Sequence, residues 1–317
     1  MAKPLFGNQP FTEGPKNEVI HLTRDKIGHF IYPDEGLDFS DYNQMFLSTD
    51  NLTITTMDIG PGGFFDPPDY HPGDEMYYVL KGTITQYNPE LGQVIRVKAG
   101  ESLLIPKGGA HVAYNFEEES LRIMAVIAPK LVENQLFTTD GEAIKRKTFL
   151  GEDNEKMPLN TPLMHNTRIA TTDDIGSWPF EGSVLRENGY LYHITEDKKL
   201  LAIHGKEHPT LVKISVSNDY MLVGELVVPF GGSVCRHTEL ICHKGESFLY
   251  AIKDKVTVYI PEDRDTIVLM PEEGLYLPKG KAYQLVKETI GVGVNEKAVL
   301  LFYQTALSFT SISIFPW

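Results

Sequence analysis

The chain of 317 residues predicts an all-β fold made from two copies of one strand-rich domain. The first observation behind this prediction is a series of short apolar or alternating runs, separated by Gly, Pro, Asn and Asp. Such runs are typical of strands that pack as a sandwich or barrel, rather than of alternating strands and helices. The second observation is an internal repeat, in which two segments of the chain recur at one constant offset.

The predicted strands are spread over both halves of the chain. They are the runs Leu52–Ile59, Met76–Tyr87, Val94–Val97, Ser102–Ile105, Leu121–Ile127, Leu222–Val228, Phe248–Ile260, Thr266–Met270 and Val299–Tyr303. A further short strand, His111–Asn115, is expected to follow the turn Pro106–Gly108, because Pro and Gly are strong turn formers.

The repeat determines the number of domains. Residues His71–Tyr87 align without gaps to His243–Tyr259, and Leu103–Ala110 align to Leu275–Ala282, each 172 positions later. One offset across both segments indicates two copies of the same unit. The sequence therefore predicts one barrel over about residues 40–130 and a second over about residues 205–305.

The segments outside the two predicted barrels determine where the predicted domains begin and end. The first domain is expected to span residues 1–150, including an N-terminal arm ahead of the barrel, and the second to span residues 151–317. Residues Pro129–Pro162 carry many charges and few strand signals. We interpret them as the connection between the barrels, with a short helix near Gly141–Lys147.

Two segments of the first copy carry a regular pattern of Gly, acidic and His residues. In order they are Gly63, Asp69, His71, Glu75 and Gly82, then Gly100, Pro106, Gly108, His111 and Asn115. Alternate residues of a strand face the same side, so Asp69 and His71 point together, and so do Glu75 and Tyr77. Two imidazoles and a carboxylate on adjacent strands give a ligand set that leaves coordination positions open for a substrate.

This two-part pattern resembles the signature of the cupin superfamily. The resemblance implies that both copies are double-stranded β-helices, or jelly-roll barrels, and that the first binds one divalent metal ion through His71, Glu75 and His111. The chain departs from the family pattern at Asp69, which stands where the family usually has the first His of a His-x-His pair. Asp69 is therefore a candidate fourth ligand.

The ligand set limits which metal ions are expected but does not identify a single one. Two His and one carboxylate suit Fe(II), which is the favoured ion, and also Mn, Ni, Co, Cu or Zn. A second carboxylate at Asp69 favours harder ions, Mn²⁺ included. If Asp69 is not a ligand, it is either a base within reach of the substrate or a turn cap in the Asp66–Asp69 loop.

The second copy lacks most of these ligands. The replacements are His243 for His71, Ser247 for Glu75, Tyr283 for His111 and Ile241 for Asp69. This pattern predicts a metal-free barrel with a structural role. The alternative is a rearranged site made of His237, Glu239 and His243, whose spacing places them on one face of a strand.

Residues of the same strand parity as the ligands predict the lining of the first cavity. They are Phe65, Pro67, Tyr77, Val79, Ala113 and Asn115. The lining is largely apolar, as small-ligand sites usually are. The Tyr77 hydroxyl can hydrogen-bond an oxygen ligand of the metal, although core packing is the alternative role. Asp69, Glu75 and Tyr77 are the candidate catalytic residues.

Three functions are compatible with such a site. The favoured function is that of a non-haem Fe(II)-type dioxygenase acting on a small oxygen-chelating substrate, such as an enediol, a β-diketone or a hydroxy-aromatic. The first alternative is a non-redox isomerase, lyase or decarboxylase, in which Glu75 or Asp69 moves a proton. The second is a ligand-binding cupin without turnover, because fold does not fix function.

Charge and composition indicate the partners and the compartment. A net charge of −14 argues against nucleic acid and anionic membranes as partners and leaves a small molecule as the expected ligand. The N-terminus lacks the apolar segment of a secretory signal, and two cysteines, Cys235 and Cys242, do not make a disulfide framework. We expect a cytoplasmic protein, and the resemblance suggests a homodimer.

Overall fold

The computed structural model describes residues 17–32, 41–49, 51–65, 68–69, 71–129, 186–187, 189–205, 210–228, 236–243, 245–287 and 298–305. The chain divides into two compact units. The first contains the described residues from 27 to 129 and from 186 to 198, and the second those from 17 to 26 and from 199 to 305. The predicted boundary between residues 150 and 151 and the predicted helix near Gly141–Lys147 lie outside the described residues.

The strands are numbered in chain order. β1 belongs to the second unit, and the described part of the first unit contains ten strands. These are β2 (Gly28–Tyr32), β3 (Asp41–Ser48), β4 (Thr53–Ile59), β5 (Asp74–Lys81), β6 (Thr83–Asn88), β7 (Gln93–Lys98), β8 (Ser102–Ile105), β9 (Val112–Tyr114), β10 (Leu121–Ala128) and β11 (Tyr192–Ile194). Seven of them form a sheet in the order β11-β8-β5-β10-β4-β3-β2, and three form a second sheet in the order β7-β6-β9.

One apolar core lies between the two sheets of the first unit. It combines residues of the seven-stranded sheet, such as Met57, Val79 and Ile123, with residues of the three-stranded sheet, such as Ile84 and Val97. These side chains come from alternate strand positions, because every second residue of a strand faces the same side. The core thus closes the first unit as a two-sheet barrel.

The second unit contains β1 and eleven further described strands. They are β1 (Ile20–Leu22), β12 (Leu200–His204), β13 (Thr210–Ser217), β14 (Met221–Val228), β15 (Arg236–His237), β16 (Ile241–Cys242), β17 (Ser247–Lys253), β18 (Val256–Ile260), β19 (Asp265–Leu269), β20 (Gly274–Leu277), β21 (Ala282–Lys287) and β22 (Ala298–Thr305). One sheet has the order β1-β20-β17-β22-β14-β13-β12, and the other has the order β15-β21-β18-β19, with β16 also paired to β21. A 3-10 turn at Glu196–Lys198 precedes β12.

Strand registers repeat between the two units. In the first unit Asp69 pairs with His111 in an isolated antiparallel bridge, and in the second Ile241 pairs with Tyr283, 172 positions later in both strands. The pairs β5–β8 and β17–β20 also share this offset. The predicted all-β fold with two copies of one barrel is therefore confirmed. No helix in the described part of the chain has the length and hydropathy needed to cross a membrane.

Two of the predicted strands are each divided in the structure. The run Met76–Tyr87 becomes β5 and β6, which belong to different sheets, and the chain turns between them at Gly82 with a φ of 79°. The run Phe248–Ile260 becomes β17 and β18, divided near Asp254 with a φ of 62°. A left-handed residue ends regular pairing, and hydrophobic periodicity alone does not reveal it.

Candidate metal centre

Backbone pairing brings the ligand segments of the first unit together. The Asp69 N–H donates to the His111 carbonyl at 3.0 Å, and the His111 N–H donates to the Asp69 carbonyl at 3.3 Å. Glu75 is the second residue of β5, in the opposite sheet. The isolated bridge just before β9 thus supplies Asp69 and His111, while the seven-stranded sheet supplies Glu75.

The four candidate ligands form one cluster. Ligand atoms of Asp69, His71 and His111 all lie within 4.8 Å of one another. The Glu75 Oε2 lies 3.2 Å from the His71 Nε2 and 3.0 Å from the His111 Nε2. Within the described residues Asp69, His71 and His111 are the one group of three or more His, Cys, Asp or Glu side chains whose ligand atoms are mutually close enough to hold a metal ion, and Glu75 adjoins its two imidazoles.

The cluster is buried. Exposed fractions are 6% for Asp69, 9% for His71, 2% for Glu75 and 3% for His111. Burial of several ionisable groups is costly unless opposite charges or a metal ion compensate them. The ligand atoms therefore need a cation, either protons on the imidazoles or a divalent ion.

The orientation of His111 fits a metal ligand. Its Nδ1 lies 3.0 Å from the Gly109 carbonyl, which accepts the Nδ1 proton and leaves the Nε2 lone pair directed at the cluster. The His111 Nε2 and the Glu75 Oε2 are both buried and lie 3.0 Å apart. Either a proton shared between these two atoms or a metal ion bound by both would satisfy them.

The electrostatics of the cluster favour a bound cation. Burial would raise the pKa of Glu75, but the adjacent His71 and His111 outweigh it and lower the pKa to about 2. Burial likewise would lower the pKa of His111, but Glu75 and Asp69 outweigh it and raise the pKa above its ordinary value. For Asp69 burial wins over the two imidazoles and raises the pKa to about 6. The negative charge that binds protons here would also bind a divalent ion.

Tyr77 lies next to the cluster. Its ring meets the His111 ring edge-on, with the centroids 6.2 Å apart, and the residue is 4% exposed. Burial raises its pKa well above 10, and the carboxylates of Glu75 and Asp69 add to the effect. Tyr77 therefore stays a neutral phenol that can donate one hydrogen bond.

Five of the six residues predicted to line the cavity are described in the structure, and Pro67 lies outside the described residues. Tyr77, Val79 and Ala113 belong to the apolar core, and Phe65 packs against it. The Asn115 Nδ2 donates to the carbonyls of Ile59, Gly60 and Glu119. Its side chain joins two turns, because a buried amide must satisfy its own hydrogen bonds first.

Two residues that contact the ligand segments were missed by the sequence analysis. Asp74 precedes Glu75 and has no exposed surface, and it pairs with Arg186 at 2.8 Å. Asp74 has the wrong strand parity to face the metal, so the parity argument passed over it. Arg186 is 112 positions away and carries no sequence signal for this contact.

The matched positions of the second unit hold a different arrangement. The His243 Nε2 lies 2.9 Å from the Tyr283 hydroxyl, and both residues are buried. His237 is exposed, and its Nδ1 is bonded to the Thr238 carbonyl. His237, Glu239 and His243 therefore do not gather into a ligand cluster, and the alternative site proposed from their spacing is not formed by these described side chains.

Comparison with known protein families finds a match in the first unit. A family model described as a cupin domain matches residues 55–127, a range that contains all four candidate ligands. No curated protein matches the chain in sequence.

Solved structures resemble the fold of the whole chain. AerE from Microcystis aeruginosa is 10% identical, with a TM-score of 0.53 over 87% of this chain and 97% of that one. Protein Ylba from E. coli is 13% identical, with a TM-score of 0.53 over 92% of each chain. A formate complex of oxalate decarboxylase from Lactobacillus farciminis is 15% identical, with a TM-score of 0.53 over 93% of this chain and 88% of that one. At such identities the likeness concerns the fold alone.

Proposed function

Because the chain belongs to the cupin superfamily, and because its first unit gathers two His and two carboxylate side chains in one buried cluster, we propose that it is a metal-dependent enzyme. The substrate class we assign is a small molecule that chelates through adjacent oxygen atoms. The observation that carries the proposal is the buried cluster in which the His71 Nε2 and the His111 Nε2 lie 3.2 Å and 3.0 Å from the Glu75 Oε2, beside Asp69.

In this proposal His71, Glu75 and His111 hold one divalent ion, and Asp69 is the fourth ligand. Fe(II) is the favoured ion, and Mn, Ni, Co, Cu and Zn suit the same donors. When bound, the ion supplies a Lewis acid for a chelating substrate and, if it is Fe(II), a centre that activates O₂.

The other side chains would orient the substrate and keep water out. The Tyr77 hydroxyl, which hydrogen-bonds Glu75, would also hydrogen-bond a substrate oxygen, since it lies beside His111 and stays neutral. Val79 and Ala113 belong to the apolar core behind the cluster. An apolar wall lowers the local dielectric constant and strengthens every charge interaction with the substrate.

Oxidative cleavage is the first candidate reaction. Two His and one carboxylate with open positions are the ligand set of non-haem Fe(II) oxygenases. Suitable substrates are an enediol, a β-diketone or a hydroxy-aromatic, because each presents two adjacent oxygens.

A non-redox reaction is the second candidate, and Asp69 favours it. A second buried carboxylate beside the two imidazoles is suited to Mn²⁺, and it can hold or move a substrate proton if it is not a ligand. The solved structures of similar fold include oxalate decarboxylases, so small dicarboxylates belong in the assay.

The test begins with elemental analysis of protein purified without added metal. Oxygen uptake is then measured with catechols, gentisate-like aromatics and β-diketones, and anaerobic turnover with oxalate and other small carboxylates. Oxygen uptake that depends on Fe(II) supports the dioxygenase, and anaerobic turnover supports the non-redox enzyme. Saturable substrate binding without turnover in either assay would mean that the barrel is a binding module, and the enzyme proposal would be wrong.

His111→Ala is the matched control for both assays. It removes one proposed ligand and should abolish metal uptake and turnover together. Retained turnover in this variant would assign the activity to a contaminant or to another site.

A further inference from the structure

The buried carboxylate of Asp74 joins three segments of the first unit. It accepts a hydrogen bond from the Lys107 N–H at 2.8 Å. The Arg186 guanidinium donates to both of its oxygens, from Nε at 3.1 Å and from Nη2 at 2.8 Å. Such a two-pronged, charge-assisted pair fixes geometry as well as charge.

Asp74 and the Lys107 turn each lead to a candidate metal ligand, while Arg186 holds the Asp74 carboxylate in place. Asp74 is the first residue of β5 and is followed directly by Glu75. Lys107 belongs to the turn that leads to His111, and the Gly109 carbonyl of the same turn accepts the His111 Nδ1 proton. The strand that carries Glu75 is thereby tied to the turn that orients His111.

The second unit keeps an acidic residue and a backbone contact at the matched positions, although its metal ligands are replaced. Glu246 occupies the position matched to Asp74, so an acidic residue is present there although the metal ligands are replaced. In both units a glycine N–H of the turn also bonds to the matched His carbonyl, Gly108 to His71 and Gly280 to His243. An acid at this position therefore does not by itself indicate metal binding.

We infer that Asp74 and Arg186 form a positioning pair, which holds Glu75 and His111 at the spacing that the proposed metal site needs. This inference rests on the proposed function for its metal, and on the observed contacts for its geometry. Residues that hydrogen-bond to metal ligands and so fix their orientation typically raise metal affinity about 10- to 100-fold. We expect an effect near the lower end, because Asp74 acts through the backbone and the turn.

Four substitutions distinguish the contact of Asp74 with Lys107 from its contact with Arg186. Asp74→Asn keeps an acceptor for the Lys107 N–H but loses the charge that faces Arg186. Asp74→Ala loses both contacts. Arg186→Gln removes the guanidinium, whereas Arg186→Lys keeps the charge without the two-pronged geometry.

The matched control is Lys199→Met in the second unit. Lys199 is buried and pairs with Glu225, so its replacement also breaks a buried ion pair. A loss of stability without a loss of metal affinity is expected for this control.

The first measurement is the Mn²⁺ affinity of each variant by calorimetry, at a temperature where all variants are folded. We expect Asp74→Ala and Arg186→Gln to weaken binding at least about tenfold, and Arg186→Lys to recover part of it. Variants that lose stability but bind Mn²⁺ as the parent does would show that the pair is structural only.

The second measurement needs no metal. In metal-free parent protein, ¹⁵N NMR should find His111 with its Nδ1–H bonded and the Lys107 amide protected from exchange. Asp74→Ala should speed Lys107 exchange and broaden or shift the His111 signals. If the parent takes up no metal, the proposed function fails, and these two signals alone decide the positioning role. Unchanged His111 and Lys107 signals in Asp74→Ala would overturn it.

Discussion

Asp69 is the residue at which the first barrel departs from the cupin pattern, and its surroundings show how a carboxylate fits there. It is 6% exposed and lies against His71 and His111. A carboxylate in place of an imidazole adds one negative charge to the site and one hard oxygen donor. The side chain lies with the other ligand atoms, as strand parity predicted, while ligation by Asp69 stays a prediction.

Replacing Asp69 tests this role. Asp69→Asn keeps the shape but removes the charge, so it should weaken Mn²⁺ binding by about tenfold or more, in the range of changes close to a metal. Asp69→His supplies the usual family ligand and should keep metal binding while shifting preference away from hard ions. Calorimetric titration with Mn²⁺ and Zn²⁺ measures both. If Asp69→Asn has the metal affinity and turnover of the parent, only His71, Glu75 and His111 remain as ligands.

Asp41 is a second buried acid, outside the ligand cluster. It begins β3 and is 3% exposed, and burial raises its pKa to about 7. Between its ordinary pKa of 3.8 and about 7, the folded protein keeps a proton that the unfolded chain releases. The stability that this group contributes is therefore present at low pH and is lost as pH rises through that window.

In the variant Asp41→Asn, the part of the pH dependence of stability that comes from Asp41 should disappear. At pH 8 the variant should be more stable than the parent, by on the order of a few kcal/mol, because no charge is buried. At pH 4 the two proteins should differ little. Urea unfolding at both pH values measures the difference, and an equal difference at the two pH values would mean that Asp41 does not titrate on folding.

The entry into β5 depends on close backbone packing. Gly73 lies one residue before the strand, and a Cβ built there would stand 2.2 Å from the Ala128 carbonyl oxygen of β10. Backbone atoms cannot move aside as a flexible side chain can. A residue larger than Gly must therefore push β5, and Glu75 with it, away from β10.

Gly73→Ala should accordingly be destabilising. Overpacking of this kind typically costs about 1–3 kcal/mol, and here it should also weaken Mn²⁺ binding because Glu75 moves. Gly60→Ala is the control, since a Cβ at Gly60 meets nothing within 4 Å. Thermal unfolding and calorimetry compare the two, and equal behaviour of both variants would contradict the packing argument.

The strands differ in how well the sequence predicts them. Ser102–Ile105 is reproduced as β8, and Leu121–Ile127 lies within β10, because apolar periodicity is a local property. The short strands β1 and β11 were not predicted. Each has three residues and pairs with a strand far away in the chain, β20 and β8 respectively. Their sequences carry too few residues for a periodic signal.

The two units differ in chemistry although they share one register. Asp69 and His111 face each other in the first unit, and Ile241 and Tyr283 occupy the matched bridge in the second. A buried hydrogen bond joins the His243 Nε2 directly to the Tyr283 hydroxyl in the second unit. The repeat therefore keeps the backbone frame while the ligands differ.

This difference predicts one ion per chain. Elemental analysis of protein loaded with Mn²⁺ and desalted should give about one equivalent, because one complete ligand set is present among the described residues. His111→Ala should lower the occupancy strongly, whereas Tyr283→Ala should leave it unchanged. Two equivalents in the parent would require a second site, and would revive the combination of His237, Glu239 and His243.

Sequence by itself determined the strand-rich class, the two-fold repeat and the four candidate ligands. The strand-rich class and the repeat depend on spacing along the chain, and the ligands were implied by the resemblance of that spacing to the cupin pattern. Only the tertiary structure decided which proton His111 donates, how deeply the cluster is buried, and that Arg186 reaches Asp74 from 112 positions away. These features depend on contacts between distant segments, and such contacts exist only once the sheets have closed around a common core.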